Sequence, residues 1–150
     1  MTALLRLLVV FLCGMTAPAQ AQVQDELRGL FNVFVREANS RNVAAVGQLL
    51  LDSRDFSWVA PRRPAIQGRD AALLHLTTAF RGHWNIEPDL KTLTITALTA
   101  DSAKLQVAAR HAAGAPGSAP QAETIQLTQT YVKTSLGWRI STMEFAPPAP

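Results

Sequence analysis

A chain of 150 residues with 14 lysines and arginines against 11 aspartates and glutamates carries a formal charge of +3 and a single cysteine. Its length fits one domain of ordinary size. The basic residues are scattered apart from Arg62-Arg63, which excludes the clustered footprint of a nucleic-acid binder, and one cysteine excludes an internal disulfide.

At the N-terminus, Arg6 and the amino end precede the apolar run "LLVVFLCGM", and "APAQA" follows with Ala19 and Ala21 in an A-x-A pattern. That is the pattern of an export signal. The run is far shorter than the ~20 residues that span a bilayer, and no later stretch is long and apolar enough. Residues 1–21 are therefore expected to be cleaved, leaving a mature chain from Gln22 in the periplasm or outside the cell. The rival is a lipoprotein anchored at Cys13; Leu12 argues against it, because a lipobox wants a small residue there. Cleavage would remove Cys13 and Arg6 together, leaving a net charge of +2, no thiol and no membrane span.

Residues 23–39 carry the clearest helical signal: Val23, Leu27, Leu30, Phe31, Phe34 and Ala38 form one apolar stripe. Gly29 weakens that helix without abolishing it. A second, shorter helix is expected over 43–51. Phe56, Trp58 and Val59 suit a short strand, which Pro61 and Pro64 keep from continuing as a central one. After Gly68 a third helix, "RDAALLHLTTAFRG", buries Leu73, Leu76 and Phe80, with Asp70 in its first turn favoured by the helix dipole.

Beyond Pro88 the period changes from helical to two. Leu93, Ile95 and Ala97 alternate with threonines; Leu105, Val107 and Ala109 alternate with Lys104, Gln106 and Arg110; Ile125, Leu127 and Tyr131 alternate with Gln126, Thr128 and Thr130. One apolar and one polar face is the signature of an antiparallel sheet covered on one side. The last strand, 137–145, is ambiguous, because Trp138 and Ile140 oppose Met143 and Phe145 in parity. Residues 112–122 read as a loose hairpin connection and 147–150 as a disordered tail.

The order of these elements resembles the NTF2-like superfamily, within it the SnoaL-like and DUF4440-type domains. The residues that carry the resemblance are "FVREANSRNVAAVGQLL", "FSWVAPRRPAIQGRDAALLHLTTAF" and the closing "TQTYVKTSLGWRI". It covers about residues 23–145 and sets the domain at 22–146. It implies an α+β, cystatin-like cone: N-terminal helices packed on a curved, mainly antiparallel sheet, with a pocket at the open end. It also implies a homodimer paired through the outer sheet face. The family includes isomerases, dehydratases, cyclases, epoxide hydrolases and members that only bind, so it supplies no single function. An Asp-Arg-Asp set like that of limonene-epoxide-hydrolase-like proteins has no match here. Tyr131 could serve as the tyrosine of steroid-isomerase-like members, but no aspartate shares an apolar strand face with it.

Five residues are pocket candidates: Trp58, Trp84, His111, Gln129 and Tyr131. Tyr131 shares parity with the apolar face, so its phenol either orients a ligand or bonds a backbone carbonyl in the core. Gln129 has the same parity and needs a partner if buried. His111 ends its strand beside the loose loop, where it is either solvated or a base at a pocket mouth. Trp58 and Trp84 sit beside turns and can roof a cavity. His75 lies off the helix stripe and is expected to be exposed, His83 to sit at a helix end, and Trp138 to anchor the last strand. Three histidines without ligand spacing suggest no metal site, and no cofactor is expected.

Three functions remain open at this point. The first is an exported domain binding a small apolar ligand. The second is an isomerase, dehydratase or cyclase using His111 or an unplaced aspartate. The third is a dimerising interaction module. A pocket empty of His, Asp and Glu would remove the second, and the absence of a cavity would favour the third.

Overall fold

The structure, a computed structural model, describes residues 17–148. Helix α1, Ala17–Asn39, buries Leu27, Phe31, Phe34 and Ala38, the stripe read from the sequence. Residues 1–16 of the expected leader lie outside the described residues, and 17–21 form the first turns of α1. Residues 147 and 148 follow the last strand without regular structure; 149–150 lie outside the described residues. Among the described residues, no helix is long and apolar enough to cross a membrane.

Helix α2, Val43–Leu49, starts where the Asn42 side chain accepts a hydrogen bond from the Ala45 amide, satisfying one of the orphan donors of a first turn. Strand β1, Ser57–Val59, and strand β2, Ile66–Gln67, flank the Pro61–Pro64 turn. Helix α3, Arg69–Ala79, follows Gly68, whose φ of +88° favours glycine. Then come β3, His83–Pro88; a 3-10 turn, Leu90–Thr92; β4, Thr94–Thr99; β5, Ser102–Gly114; β6, Gln121–Thr134; and β7, Gly137–Ala146.

The strands form one sheet in the order β2-β1-β7-β6-β5-β3, with β4 also pairing β5. All pairs are antiparallel except β1 with β7. Strands β3 and β4 share one edge of β5: β3 pairs with residues 109–114 and β4 with 102–106. The turn between them crosses the gap, since the Asp89 amide donates to Ala108 O and the Ala108 amide to Thr92 Oγ1. Helix α1 completes the free edge of β3. The Asn39 side chain donates to Ile86 O at 2.9 Å and accepts from the Ile86 amide at 2.8 Å, standing in for a strand partner.

The inner face of the sheet carries Leu105, Val107, Ala109, Ile125, Leu127 and Tyr131, all buried beneath the helices. The parity conflict in the last strand is a β-bulge. Thr130 pairs with Thr142 and Tyr131 with Ile140, so Ser141 is the extra residue, its hydroxyl donating to Thr130 O at 3.1 Å. One inserted residue reverses the faces. Trp138, Ile140, Met143 and Phe145 are therefore all buried on the same side.

Several local expectations are corrected. His83, expected at a helix end, instead opens strand β3, His83–Pro88. The loose connection is short, because β5 runs to Gly114 and β6 begins at Gln121. Thr92 belongs to the 3-10 turn, where its hydroxyl is used locally, and not to the outer sheet face. Glu123, expected near the rim of the polar outer face, pairs with His111 across β5 and β6 and so shares the inner side, whereas Glu144, opposite Thr128, adds a charge to the outer one.

Candidate functional site

Aromatic rings from five segments meet at one end of the inner face. Trp58 comes from β1, His75 and Phe80 from α3 and the residue after it, Trp84 from β3, His111 from β5 and Phe145 from β7. Strand pairing explains the convergence. Ile86 stands opposite His111 and Trp84 opposite Ala113, making Trp84 and His111 diagonal neighbours on one face. Their centroids are 4.7 Å apart at 71°; Trp58 meets Trp84 at 6.1 Å and 84°, and His111 meets Phe145 at 5.2 Å and 76°. Edge-to-face packing of this kind sets positive ring edges against negative faces.

On the outer side of Trp58 lies an open cleft of about 240 Å³ lined by Trp58, Ala60, Arg63, Pro64, Ile66 and His75. Its floor is apolar, and the Pro61–Pro64 turn forms one wall. The His75 ring stands edge-on to Trp58 at 5.1 Å and 86°. His75 is thus a cleft residue, contrary to the expectation of simple exposure: the segment from β1 to β2 covers the side of α3 that carries it. No aspartate or glutamate lines the cleft. A separate hollow of about 20 Å³, beside Trp138, Val23 and Ile95, has room for little more than a water molecule.

Of the five candidates, the structure brings Trp58, Trp84 and His111 together and sets Gln129 and Tyr131 apart. Only Trp58 lines the cleft; Trp84 and His111 lie in the layer behind it. His111 is buried rather than solvated at a strand end. Tyr131 donates to Gln129 Oε1 at 2.6 Å, and Gln129 Nε2 reaches Met143 Sδ at 3.8 Å. The phenol's partner is therefore a side chain rather than a backbone carbonyl. Burial pushes the Tyr131 phenol far above its ordinary value, so it keeps the proton that it donates to Gln129 Oε1.

Burial, and then the charge of Arg63, hold His75 below its ordinary value of 6.5. His111 is held down chiefly by burial, with Glu123 pulling up and Arg63 pushing down. Both imidazoles are neutral near pH 7 and can accept or donate one proton each. Among the described residues, the buried ring nitrogens without a hydrogen-bond partner are Trp58 Nε1, Trp84 Nε1, His111 Nε2 and Trp138 Nε1. Three of these four belong to the aromatic assembly. No group of three or more His, Cys, Asp or Glu among the described residues is placed to hold a metal.

No family model matches the chain, and no curated protein matches it. Solved structures do. An NTF2-like superfamily protein from Salmonella enterica serovar Typhimurium is 18% identical over 88% of this chain and 95% of that one, with a TM-score of 0.76. An NTF2-like protein with a cystatin-like fold from Novosphingobium aromaticivorans is 17% identical over 89% and 92%, at 0.66. A ketosteroid isomerase-like protein from Erwinia carotovora atroseptica is 17% identical over 82% and 94%, also at 0.66. Helices laid on one face of a mainly antiparallel sheet, in the same order along nearly the whole chain, give this protein the NTF2-like, cystatin-like fold.

Proposed function

We propose that the chain is an exported binding domain that holds a small, mainly apolar molecule in the cleft between Trp58 and His75. The observation that carries this reading is the cleft itself: an aromatic and aliphatic lining with two polar side chains, Arg63 and His75. Ligand sites are typically apolar with a few placed polar groups. The same reading has the chain working as a homodimer paired through the threonine- and glutamine-rich outer face of the sheet. One experiment addresses ligand and export together: native mass spectrometry of the protein recovered from its host. The expected outcome is a chain beginning at Gln22 with a small molecule bound, and a Trp58→Ala variant that folds but carries none. A chain with no bound molecule, or one retained equally by that variant, overturns the cleft as the site; an intact Met1 overturns export.

A second reading, an acid–base enzyme of the isomerase or dehydratase kind, is favoured by one observation. His75, which is neutral and half-buried, stands in the cleft wall, where a general base needs to be. It replaces His111 as the base, since His111 lies behind Trp58. If the molecule recovered from the host is turned over by excess protein and His75→Asn stops turnover while keeping binding, the enzyme reading stands.

A further inference from the structure

We infer that the cleft takes a small planar acid, a one- or two-ring carboxylate whose ring packs against Trp58 and His75 and whose carboxylate meets the Arg63 guanidinium. This rests on the ligand-binding reading above and narrows it.

The first support is the charge of the cleft wall. Arg63 lines the cleft, no carboxylate does, and among the described residues Arg63 makes no ion pair. Its planar fork of donors matches a carboxylate in two parallel hydrogen bonds. A cationic ligand would meet that charge with nothing to offset it, and a hydrocarbon would leave it unused.

The second support is how the turn holds Arg63. Arg62 adopts a left-handed conformation, φ 59°, which is uncommon for any residue but glycine. The prolines at 61 and 64 fix the backbone on both sides. Of the two adjacent arginines, only Arg63 lines the cleft. The pair that looked like an ordinary solvated loop in the sequence is therefore two residues with different surroundings.

The third is the shape of the floor. Trp58 and His75 stand at 86° to each other and make a corner into which a flat ring fits. The volume of about 240 Å³ lies below the ~300–1,000 Å³ of sites for drug-sized ligands, which limits the ligand to a small ring system.

The test uses a matched pair, trans-cinnamate and trans-cinnamamide, titrated calorimetrically into the full chain. The acid should bind more tightly than the amide by about tenfold or more, the equivalent of ~1.4 kcal/mol. Arg63→Gln should remove that advantage and leave the amide unchanged, while Arg62→Gln, a charge-matched control outside the cleft, should leave both unchanged. An amide that binds as well as the acid, or an acid indifferent to Arg63→Gln, overturns the acid assignment and leaves the binding reading intact. Equal losses in the two arginine variants overturn it too, because the attraction would then be general. If neither probe binds at millimolar concentration, both readings fall.

Discussion

Tyr131 and Gln129 stand two residues apart on the inner face of β6, and each solves the other's problem. The phenol donates to Gln129 Oε1 at 2.6 Å in a region where neither side chain reaches solvent. A buried acceptor left without its donor costs ~1–3 kcal/mol, whereas removing both partners together can be nearly neutral. Tyr131→Phe is therefore expected to destabilise the fold by about that amount, and Gln129→Met with Tyr131→Phe to recover most of the loss. Urea unfolding of the two variants measures it. A single variant as stable as the wild type would show that the bond contributes nothing. The histidines give a second expectation. His75 and His111 have folded values depressed by burial, so below pH 6.5 the unfolded chain takes protons that the folded chain refuses. Stability should be full above about pH 6.5 and fall as pH drops through the folded values. Glu123 opposes this trend at His111 and Arg63 reinforces it at both. His111→Leu should flatten the acid limb of stability against pH; an unchanged slope would mean that His111 protonates freely in the folded state.

At the scale of elements, legibility followed how local each signal was. The stripe of α1 and the alternation of β5 and β6 are set by residues close in sequence, and the burial of Phe31, Leu105 and Ile125 follows from them. Strand β3 was missed although "HWNIEP" alternates polar and apolar residues, because Gly82 and His83 also read as a helix terminus. What makes it a strand is non-local: Gly82 lies so close to Gly114 that a Cβ there would collide with the Gly114 carbonyl oxygen, and Asn39 satisfies the outer edge of the strand. The bulge at Ser141 left a readable trace, the parity reversal between Ile140 and Met143, but only a partner strand says that one residue is inserted. His75 failed for the same reason. Its place off the α3 stripe was right, and the sequence could not show that the Pro61–Pro64 turn closes over that side. Parity put His111 on the apolar face, while Trp58 and Trp84 were legible only as aromatics beside turns, and neither signal says that Trp58 separates the other two from the cleft.

For the whole molecule, the proposed homodimer would pair through the outer face of the sheet. Register aligns Thr94, Gln106, Thr128 and Glu144 in one row across β4 to β7, and Thr96, Lys104, Thr130 and Thr142 in the next. These two rows are therefore mostly uncharged, with one cation and one anion in adjacent rows, while Arg110 beside Glu87 and Arg139 opposite Val132 charge the rest of the face. Two copies related by a two-fold axis present the same patch to each other, so Lys104 of each can face Glu144 of its partner. Threonine suits such contact because its branched side chain packs on a pleated surface and still bonds water. Glutamates at 94 and 128 together would place two further anions in the row that already holds Glu144, and across a two-fold axis the repulsion is doubled. Like charges directly opposed in an interface cost several kcal/mol, enough to dissociate a micromolar dimer. Sedimentation at micromolar concentration should find the wild type dimeric and the double variant Thr94→Glu with Thr128→Glu monomeric, with the two proteins' far-UV spectra alike. A variant that stays dimeric puts the interface elsewhere, and a wild type already monomeric at that concentration removes the dimer.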